Sequence, residues 1–317
     1  MKQAAGDRLL FLIDPPSKLN PKTDTSIALM EAALRRGFSV NWCEIVDLQA
    51  RNHLPFALAK KASVGNTKTL SFEMHTLPEA LPLEAFRLIF MRKDPPVSVD
   101  YLYATQILEL AKGAKVLNAP EGLRAANEKL FVLRFPELTP QTFVSRSTEA
   151  LKAFLKEQGG RMVVKPLWGA GGDRVFLVRE DDQNKSAILE TITEHETRLA
   201  MAQAYIPEVC QGDKRILLWK GEPIGAVLRI PQQGELRGNL HVGASSAMAS
   251  LTSRDLMICE TLKPALLSMG LFFAGIDVIG PYLTEVNVTS PTGIREYNAL
   301  HQAALEEEIL ERALKEG

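Results

Sequence analysis

The residues best placed to do chemistry lie near the C-terminus, in GIDVIGPYLTEVNVTSPTGIRE, residues 275–296. An apolar, β-branched run carries Asp277, turns at Gly280-Pro281, and returns with Glu285 and Asn287 two residues apart. In a hairpin Glu285 and Asn287 share one face, because strand side chains alternate with period 2. A loop over residues 280–282 would set Asp277 directly opposite Glu285. Like charges facing each other across a hairpin repel. A cation between them turns that repulsion into a site, and carboxylate plus amide oxygen is a ligand set for Mg²⁺. An edge hairpin with solvated acids fits the same pattern, so the hairpin alone leaves both open.

A second chemical segment is a glycine loop between strands. Residues 161–166 (RMVVKP) are apolar around Lys165, residues 167–173 (LWGAGGD) form the loop with Gly169, Gly171 and Gly172, and residues 174–178 return. The loop lacks Gly-Lys-Ser/Thr and a following helix, which excludes a Walker loop and a dinucleotide fingerprint. A glycine hairpin can still turn several backbone N–H groups toward a phosphate, although glycine is also the default residue of any tight turn. Lys165 strengthens the phosphate reading, since a half-buried lysine is costly unless it meets an anion.

Other charged positions are more ambiguous. Arg215 and Arg229 sit in apolar strands, at residues 213–219 and 223–230, that flank Lys220-Gly221-Glu222 as a hairpin. Either could simply point to solvent. Arg92 ends a strand at residues 85–92 and opens Arg92-Lys93-Asp94-Pro95-Pro96. The C-terminal end of such a strand is where ligands tend to bind, but a solvated turn fixed by two prolines reads alike. Residues 231–250, rich in Gly, Ser and Gln and containing Arg237 and Asn239, have the length of a mobile active-site loop.

The elements that must position these residues begin with a buried strand at residues 9–14. A helix follows at residues 25–36, capped by Thr23 or Asp24 and ended by Gly37, and then a strand at residues 38–44. That β-α-β opening predicts a parallel first sheet. Residues 47–82 show poor periodicity and receive no element. Helices are predicted at residues 99–112, 120–134, 148–158, 185–194 and 300–314, and strands at residues 115–118 and 199–206. A further helix starts at Thr252, with Asp255 at the third position completing a variant capping box, and runs to residues 269–270. No internal repeat or low-complexity tract is visible.

Composition bounds the function. With 317 residues the chain can form two or three domains, each with its own core. Its 37 basic and 38 acidic residues give a net charge of −1, with no electrostatic signature of nucleic-acid or acidic-membrane binding. No apolar run is long enough to span a bilayer, and the apolar segment at residues 9–13 is too short for a signal-peptide core. Cys43, Cys210 and Cys259 are far apart, which suggests neither a disulfide frame nor a zinc site. The expectation is a cytoplasmic protein with reduced thiols. No Ser-His-Asp, Cys-His or redox pattern competes with the combination of phosphate lysines, glycine loop and paired acids, which is the division of labour that phosphoryl transfer needs.

At these residues the chain resembles a known family. The segments MRKDPP (residues 91–96), NEKL (127–130), GDKR (212–215), RIPQ-GE-RGN (229–239) and LTEVNVTSPTGIRE (283–296) are similar to prokaryotic glutathione synthetases, a branch of the ATP-grasp superfamily of carboxylate–amine ligases. The resemblance spans essentially the whole chain. It implies an α/β and α+β fold, in which an N-terminal parallel-sheet α/β domain (residues 1–126) precedes a two-lobed ATP-grasp fold. The central lobe would cover residues 127–202 with the glycine loop, and the C-terminal lobe residues 203–317 with the metal site and a substrate lid loop. The implied reaction joins γ-glutamylcysteine and glycine with ATP, giving glutathione, ADP and phosphate through an acyl phosphate.

Carried over by position, the resemblance puts Lys129 and Lys165 on the ATP phosphates with Gly169, Gly171 and Gly172 over them. Gln203, Tyr205 and Ile206 would border adenine and Asp213 the ribose. Asp277, Glu285 and Asn287 would hold Mg²⁺, or Mn²⁺ in its place. Arg215 and Arg229 would act catalytically on the transferring phosphate. Arg92, Arg229, Arg237, Asn239, Ser290 and Thr292 would contact substrate. Partners would be small molecules only, neither nucleic acid nor membrane, and the resemblance suggests a homotetramer. The chain departs from the family pattern in HVGASSAMAS, residues 241–250, which has no arginine, and at Trp168, where a small polar residue is expected. Two alternatives remain: a ligase for another acid and amine, against which MRKDPP and RGN argue, and a catalytically idle nucleotide-binding scaffold, which would not need the lysines and the metal trio.

Overall fold

The computed structural model describes residues 7–64, 72–169, 171–232 and 244–316. Arg237, Asn239 and most of the expected lid loop lie outside the described residues. The described residues form three sheets.

The first sheet opens as the sequence predicts. β1 (Arg8–Leu12), α1 (Thr25–Arg35) and β2 (Ser39–Cys43) make a β-α-β unit with β1 and β2 parallel. Asp24 caps α1 by accepting from the Ile27 N–H at 2.8 Å. Gly37 beyond its end takes φ 82°, the left-handed conformation that stops a helix. β3 (Leu48–Arg51), β4 (Leu54–Val64), β5 (Phe72–Met74) and β6 (Glu79–Pro82) then fill the stretch that showed no periodicity, all of them pairing through antiparallel β4. The sheet is therefore mixed, not wholly parallel: β4 runs antiparallel to β2 as well. β7 (Leu88–Met91), α2 (Val99–Glu109) and β8 (Lys115–Leu117) complete it, β7 lying parallel to both β1 and β8. β1 and β7 are entirely or almost entirely buried, and Phe11 stacks on Phe90 with ring centroids 4.6 Å apart.

The helix predicted over residues 120–134 is broken. α3 (Pro120–Ala125) ends at Ala126, and a 3₁₀ turn, Leu130–Arg134, follows. The Asn127 side chain sits in the gap and accepts from the N–H groups of Lys129 and Leu130 at 3.1 and 3.0 Å, capping the second piece.

The second sheet is antiparallel, in the order β11-β10-β12-β9. It contains β9 (Thr142–Ser145), β10 (Arg161–Pro166), β11 (Phe176–Arg179) and β12 (Ala200–Ala204). α4 (Thr148–Glu157) and α5 (Lys185–Ile192) cover one face, burying Leu151, Phe154, Leu155 and Leu189 against Met162, Val164 and Val178. Burial contributes about 1.5–3 kcal/mol for each of these large apolar side chains. The other face is left for the cleft.

The third sheet is also antiparallel, β15-β14-β13-β16-β17. β13 (Asp213–Trp219) and β14 (Glu222–Ile230) form the predicted hairpin, with Lys220 (φ 52°) and Gly221 (φ 81°) in the left-handed conformations a two-residue turn requires. β15 (Ser245–Met248) adds an edge strand inside the stretch expected to be all loop. α6 (Ser253–Ser268) carries the predicted Thr252/Asp255 capping box. β16 (Phe273–Ile279) and β17 (Tyr282–Asn287) supply the opening hairpin. In place of one final helix there are two, α7 (Ile294–His301) and α8 (Leu305–Leu314), separated by Gln302 at φ 50°. The Asn298 side-chain Oδ1 accepts from the Leu305 N–H at 2.9 Å and so starts the second. α8 returns to the first sheet: Leu305, Ile309, Leu310 and Ala313 join the core built on α1 and β1, and Arg35 and Arg36 bond to Glu307.

Candidate functional site

The third sheet builds its charged face by period 2. Asp213 and Arg215 are alternate residues of β13, and Glu285 and Asn287 alternate on β17. Register places Arg229 beside Asp213, Arg215 beside Asp277, Asp277 beside Glu285, and Gly275 beside Asn287. The expected pairing of Asp277 with Glu285 is present, but by a different route. The turn is only Gly280-Pro281, and a register shift after Asp277 leaves Thr284 as the extra residue. Gly280 at φ 54° followed by proline has the sign pattern of a II′ turn. The bulge is used: Thr284 Oγ1 donates to the Asp277 carbonyl at 3.1 Å, and its own carbonyl accepts from Lys165 Nζ at 3.1 Å.

Each carboxylate is matched by cations. Arg215 grips Asp277 with two nitrogens, Nη2 to Oδ2 being 3.0 Å. Arg229 Nη2 lies 3.1 Å from the same Oδ2 and also bonds Asp213. Lys129 Nζ lies 3.0 Å from Glu285 and donates to the Gly169 carbonyl. Lys165 is buried at the base of the glycine loop. Asn287 Nδ2 donates to the Gly275 carbonyl at 3.2 Å and lies 3.4 Å from Asp277 Oδ2, which leaves its amide oxygen available.

The electrostatics follow. Burial pushes the Asp277 carboxyl up, but Arg215 and Arg229 outweigh it and hold it well below the usual range. Burial is likewise outweighed at Glu285 by Lys129 and Lys165, so that carboxyl also lies low. At Asp213 burial wins over Arg229, and its pKa rises to about 6. Burial lowers Lys165, against the pull of Glu285. Glu128, next to Lys129, is pushed up by burial and then by Glu285. Counting Glu128, four carboxylates here face four cations (Lys129, Lys165, Arg215 and Arg229). A polyphosphate entering such a balanced cluster brings uncompensated negative charge unless a divalent cation enters with it.

These groups line one cavity of about 720 Å³ between the second and third sheets, closed on a third side by residues of the first domain. It collects Lys129, Lys165, Gly169, Gly171, Gly172, Gln203, Tyr205, Ile206, Asp213, Arg215, Arg229, Asp277, Glu285, Asn287, Ser290 and Thr292. Its apolar walls come from Val163 and Leu177 on one sheet and Val227 and Ile279 on the other. Gly169 must be small, because a Cβ there would meet Pro166 Cγ at 2.9 Å. Trp168 takes the Arg174 guanidinium over its ring at 4.8 Å, which ties the two ends of the loop together.

Arg92 does not line this cavity. It is buried, donates to Ser26 Oγ at 3.1 Å and to the Pro291 carbonyl at 2.9 Å, and lies over the Phe273 ring. Its neighbour Asp94 does line the cavity, hydrogen-bonded to Ser290 and raised chiefly by burial. Asp24, Asp94, Glu128 and Thr289 are cavity residues that the sequence reading passed over. For Glu128 the signal was at hand, since it stands inside NEKL.

Two family models match the chain: prokaryotic glutathione synthetase, N-terminal domain, over residues 8–124, and prokaryotic glutathione synthetase, ATP-grasp domain, over residues 128–302. The glutathione synthetase of Gloeobacter violaceus is 45% identical over 311 residues, covering 96% of this chain and 95% of that protein. That of a Synechocystis species is 44% identical over 315 residues, covering 96% and 98%. The Vibrio vulnificus protein of the same name is 43% identical over 307 residues, covering 96% of each. Among solved structures, D-cycloserine synthetase DcsG superposes with a TM-score of 0.68 at 13% identity, over 96% of this chain and 99% of that one. A RimK domain ATP-grasp protein from Sphaerobacter thermophilus gives 0.62 at 18% identity, over 97% and 99%. At those identities the likeness is one of fold alone.

Proposed function

The chain belongs to the prokaryotic glutathione synthetase family, and from that premise we propose that it joins γ-glutamylcysteine to glycine at the expense of ATP. The observation that carries this is the convergence of the two lysines, the glycine loop and the Asp277/Glu285/Asn287 face on one cavity. A carboxylate is a poor electrophile and its phosphate anhydride a good one. The dipeptide carboxylate attacks the γ-phosphate and releases ADP, giving an acyl phosphate; the glycine amine then attacks the acyl carbon, expels phosphate and gives up a proton. The burden on the protein is to position the reactants and neutralise charge.

Roles follow from place. Lys129 and Lys165 neutralise the phosphates beneath Gly169, Gly171 and Gly172. Gln203, Tyr205 and Ile206 border the adenine, and Asp213 the ribose. Arg215 and Arg229, already inside the charged cluster, stabilise the transferring phosphate, with Arg229 also reaching the dipeptide. Ser290 and Thr292 are assigned to the acid substrate, and so, on family likeness alone, are Arg237 and Asn239, which lie outside the described residues. Arg92 supports that wall from behind through Pro291.

The donor set fits a divalent cation. Asp277, Glu285 and the Asn287 amide oxygen offer hard oxygen ligands on one face. Two carboxylates completed by phosphate oxygens and water are what Mg²⁺ takes in nucleotide sites, rather than an all-protein cage. No group of three or more His, Cys, Asp or Glu side chains placed to hold a metal ion occurs among the described residues. Bound there, Mg²⁺ (or Mn²⁺) would offset charge on the nucleotide.

We divide the chain into residues 1–126, 127–202 and 203–317, and take it to be a cytoplasmic homotetramer on family likeness; no helix among the described residues is long and apolar enough to cross a membrane. Phosphate release with ATP, Mg²⁺, γ-glutamylcysteine and glycine, leaving out each in turn, tests the activity. Full release should require all four. Release that ignores glycine, or release with none of these mixtures, would sink the proposal.

A further inference from the structure

Glu128 lines the cavity, yet none of the roles above uses it. It stands just before Lys129, where the chain leaves the first domain. Its carbonyl accepts from the Val286 N–H at 3.0 Å. Its side-chain Oε1 then accepts from the Val288 N–H at 2.8 Å, the Thr289 N–H at 3.0 Å and Thr289 Oγ1 at 2.8 Å. Backbone and side chain together fasten the last residues of β17 and the two residues beyond it to Glu128.

What Glu128 holds is residues 288–292, which are fastened from other directions as well. Arg92 donates to the Pro291 carbonyl, Ser290 bonds Asp94, and Arg215 Nη1 donates to the Thr292 carbonyl at 3.2 Å. Among the described residues no lysine or arginine forms an ion pair with Glu128, and its charge is met by N–H and O–H donors alone. A buried carboxylate without a counter-ion is costly, and such local conflicts are expected where function requires them. Three donors converge on the one oxygen Oε1, which fixes that segment through backbone and side chain together.

We propose that Glu128 is a positioning residue: through Oε1 it fixes residues 288–292, and so sets Ser290 and Asn287 against Lys129 in the geometry that phosphoryl transfer requires. The proposal rests on the ligase reading of the cavity. Glu128→Gln keeps the Oε1 acceptor, Glu128→Ala removes it, and Thr289→Val removes one donor while keeping shape.

Displacing a reacting group by about 1 Å costs on the order of 100-fold. Glu128→Ala should therefore lower kcat by about that factor while KM for ATP stays nearly constant, since Lys165 and the glycine loop are untouched. Glu128→Gln should recover most of the loss, and Thr289→Val should lose only a small part of it. Amide exchange over residues 286–292, read by mass spectrometry without any turnover, should quicken in Glu128→Ala and stay slow in Glu128→Gln. If Glu128→Ala does not fold, the exchange and kcat of Thr289→Val carry the same comparison. Three results would overturn the proposal: Glu128→Ala turning over at the wild-type rate, KM for ATP rising in step with the loss of kcat, or Glu128→Gln as slow as Glu128→Ala, which would point to the charge and not the acceptor. Wild-type protein that releases no phosphate would instead overturn the ligase reading, and the exchange measurement would still decide whether Glu128 holds the segment.

Discussion

Two charged segments approach the cavity from opposite sides and are organised differently. In the β16–β17 hairpin the cleft-facing acids meet charged side chains: Asp277 meets Arg215 and Arg229, and Glu285 meets Lys129. At the end of β7, in the Arg92-Lys93-Asp94 turn, bonds run largely to backbone and hydroxyl groups. Arg92 reaches the Pro291 carbonyl, Lys93 the Asp94 carbonyl and Asp14, and the Asp94 N–H donates to Asp14. Under the proposed function, the first arrangement holds charge ready for a reaction. The second fastens the first domain to the wall of the cleft.

That contrast can be broken by substitution. The largest effect should come from Asp277→Ala, which leaves Arg215 and Arg229 buried without this partner. Removing one member of a buried pair costs about 3–5 kcal/mol, so both the melting temperature and turnover should collapse. A variant that melts like wild type would contradict the pairing. Glu285→Gln should separate the two effects. Turnover should fall by roughly 10²–10³-fold, the range for losing one preorganised electrostatic contact, while circular dichroism shows a folded protein. Full activity at ordinary Mg²⁺ would remove Glu285 from the cation site.

Arg92→Ala should act in the opposite sense. If Arg92 is a strut, urea titration will show a loss of about 1–3 kcal/mol from the unpaired Pro291 carbonyl and lost packing, with KM for γ-glutamylcysteine changed only a few-fold. A large rise in KM with unchanged stability would make Arg92 a direct substrate contact.

The smallest effect is one of pH. The low-lying Asp277 and Glu285 carboxyls stabilise the fold above the ordinary carboxylate range, and that stability is lost as pH falls through it toward their depressed values. Asp213, raised to about 6, works the other way: the folded state takes up its proton first, so stability rises as pH falls from above 6 toward 4. Urea titrations across that window should show the rise in the native protein and a flatter profile in Asp213→Asn. An identical slope in both would assign the effect elsewhere.

How much was legible depended on local pattern. The hairpin could be read because period 2 is built into a strand, and even an unforeseen bulge at Thr284 preserved the Asp277–Glu285 pairing. The caps at Asp24 and Thr252 could be read because a cap is a local bond. β4 could not: its inward positions are Pro55, Ala57 and Ala59, while Phe56 and Leu58 lie half-exposed, which hides the alternation. The break after α3 was signalled by Asn127 but masked by the apolar run that follows.

By itself, then, the sequence determined the β-α-β opening, the glycine hairpin, the acidic face and the family, because each rests on residue types at short spacing. Tertiary structure decided which way the isolated charges turned. Arg92 went into the wall, Asp94 into the cavity, and Glu128 onto the end of the β16–β17 hairpin. Those outcomes depend on partners 199, 66 or 160 residues away, as in Arg92 with Pro291 and Ser26 and Glu128 with Val288. No local spacing encodes such partners; they exist only once the three sheets have closed on one another.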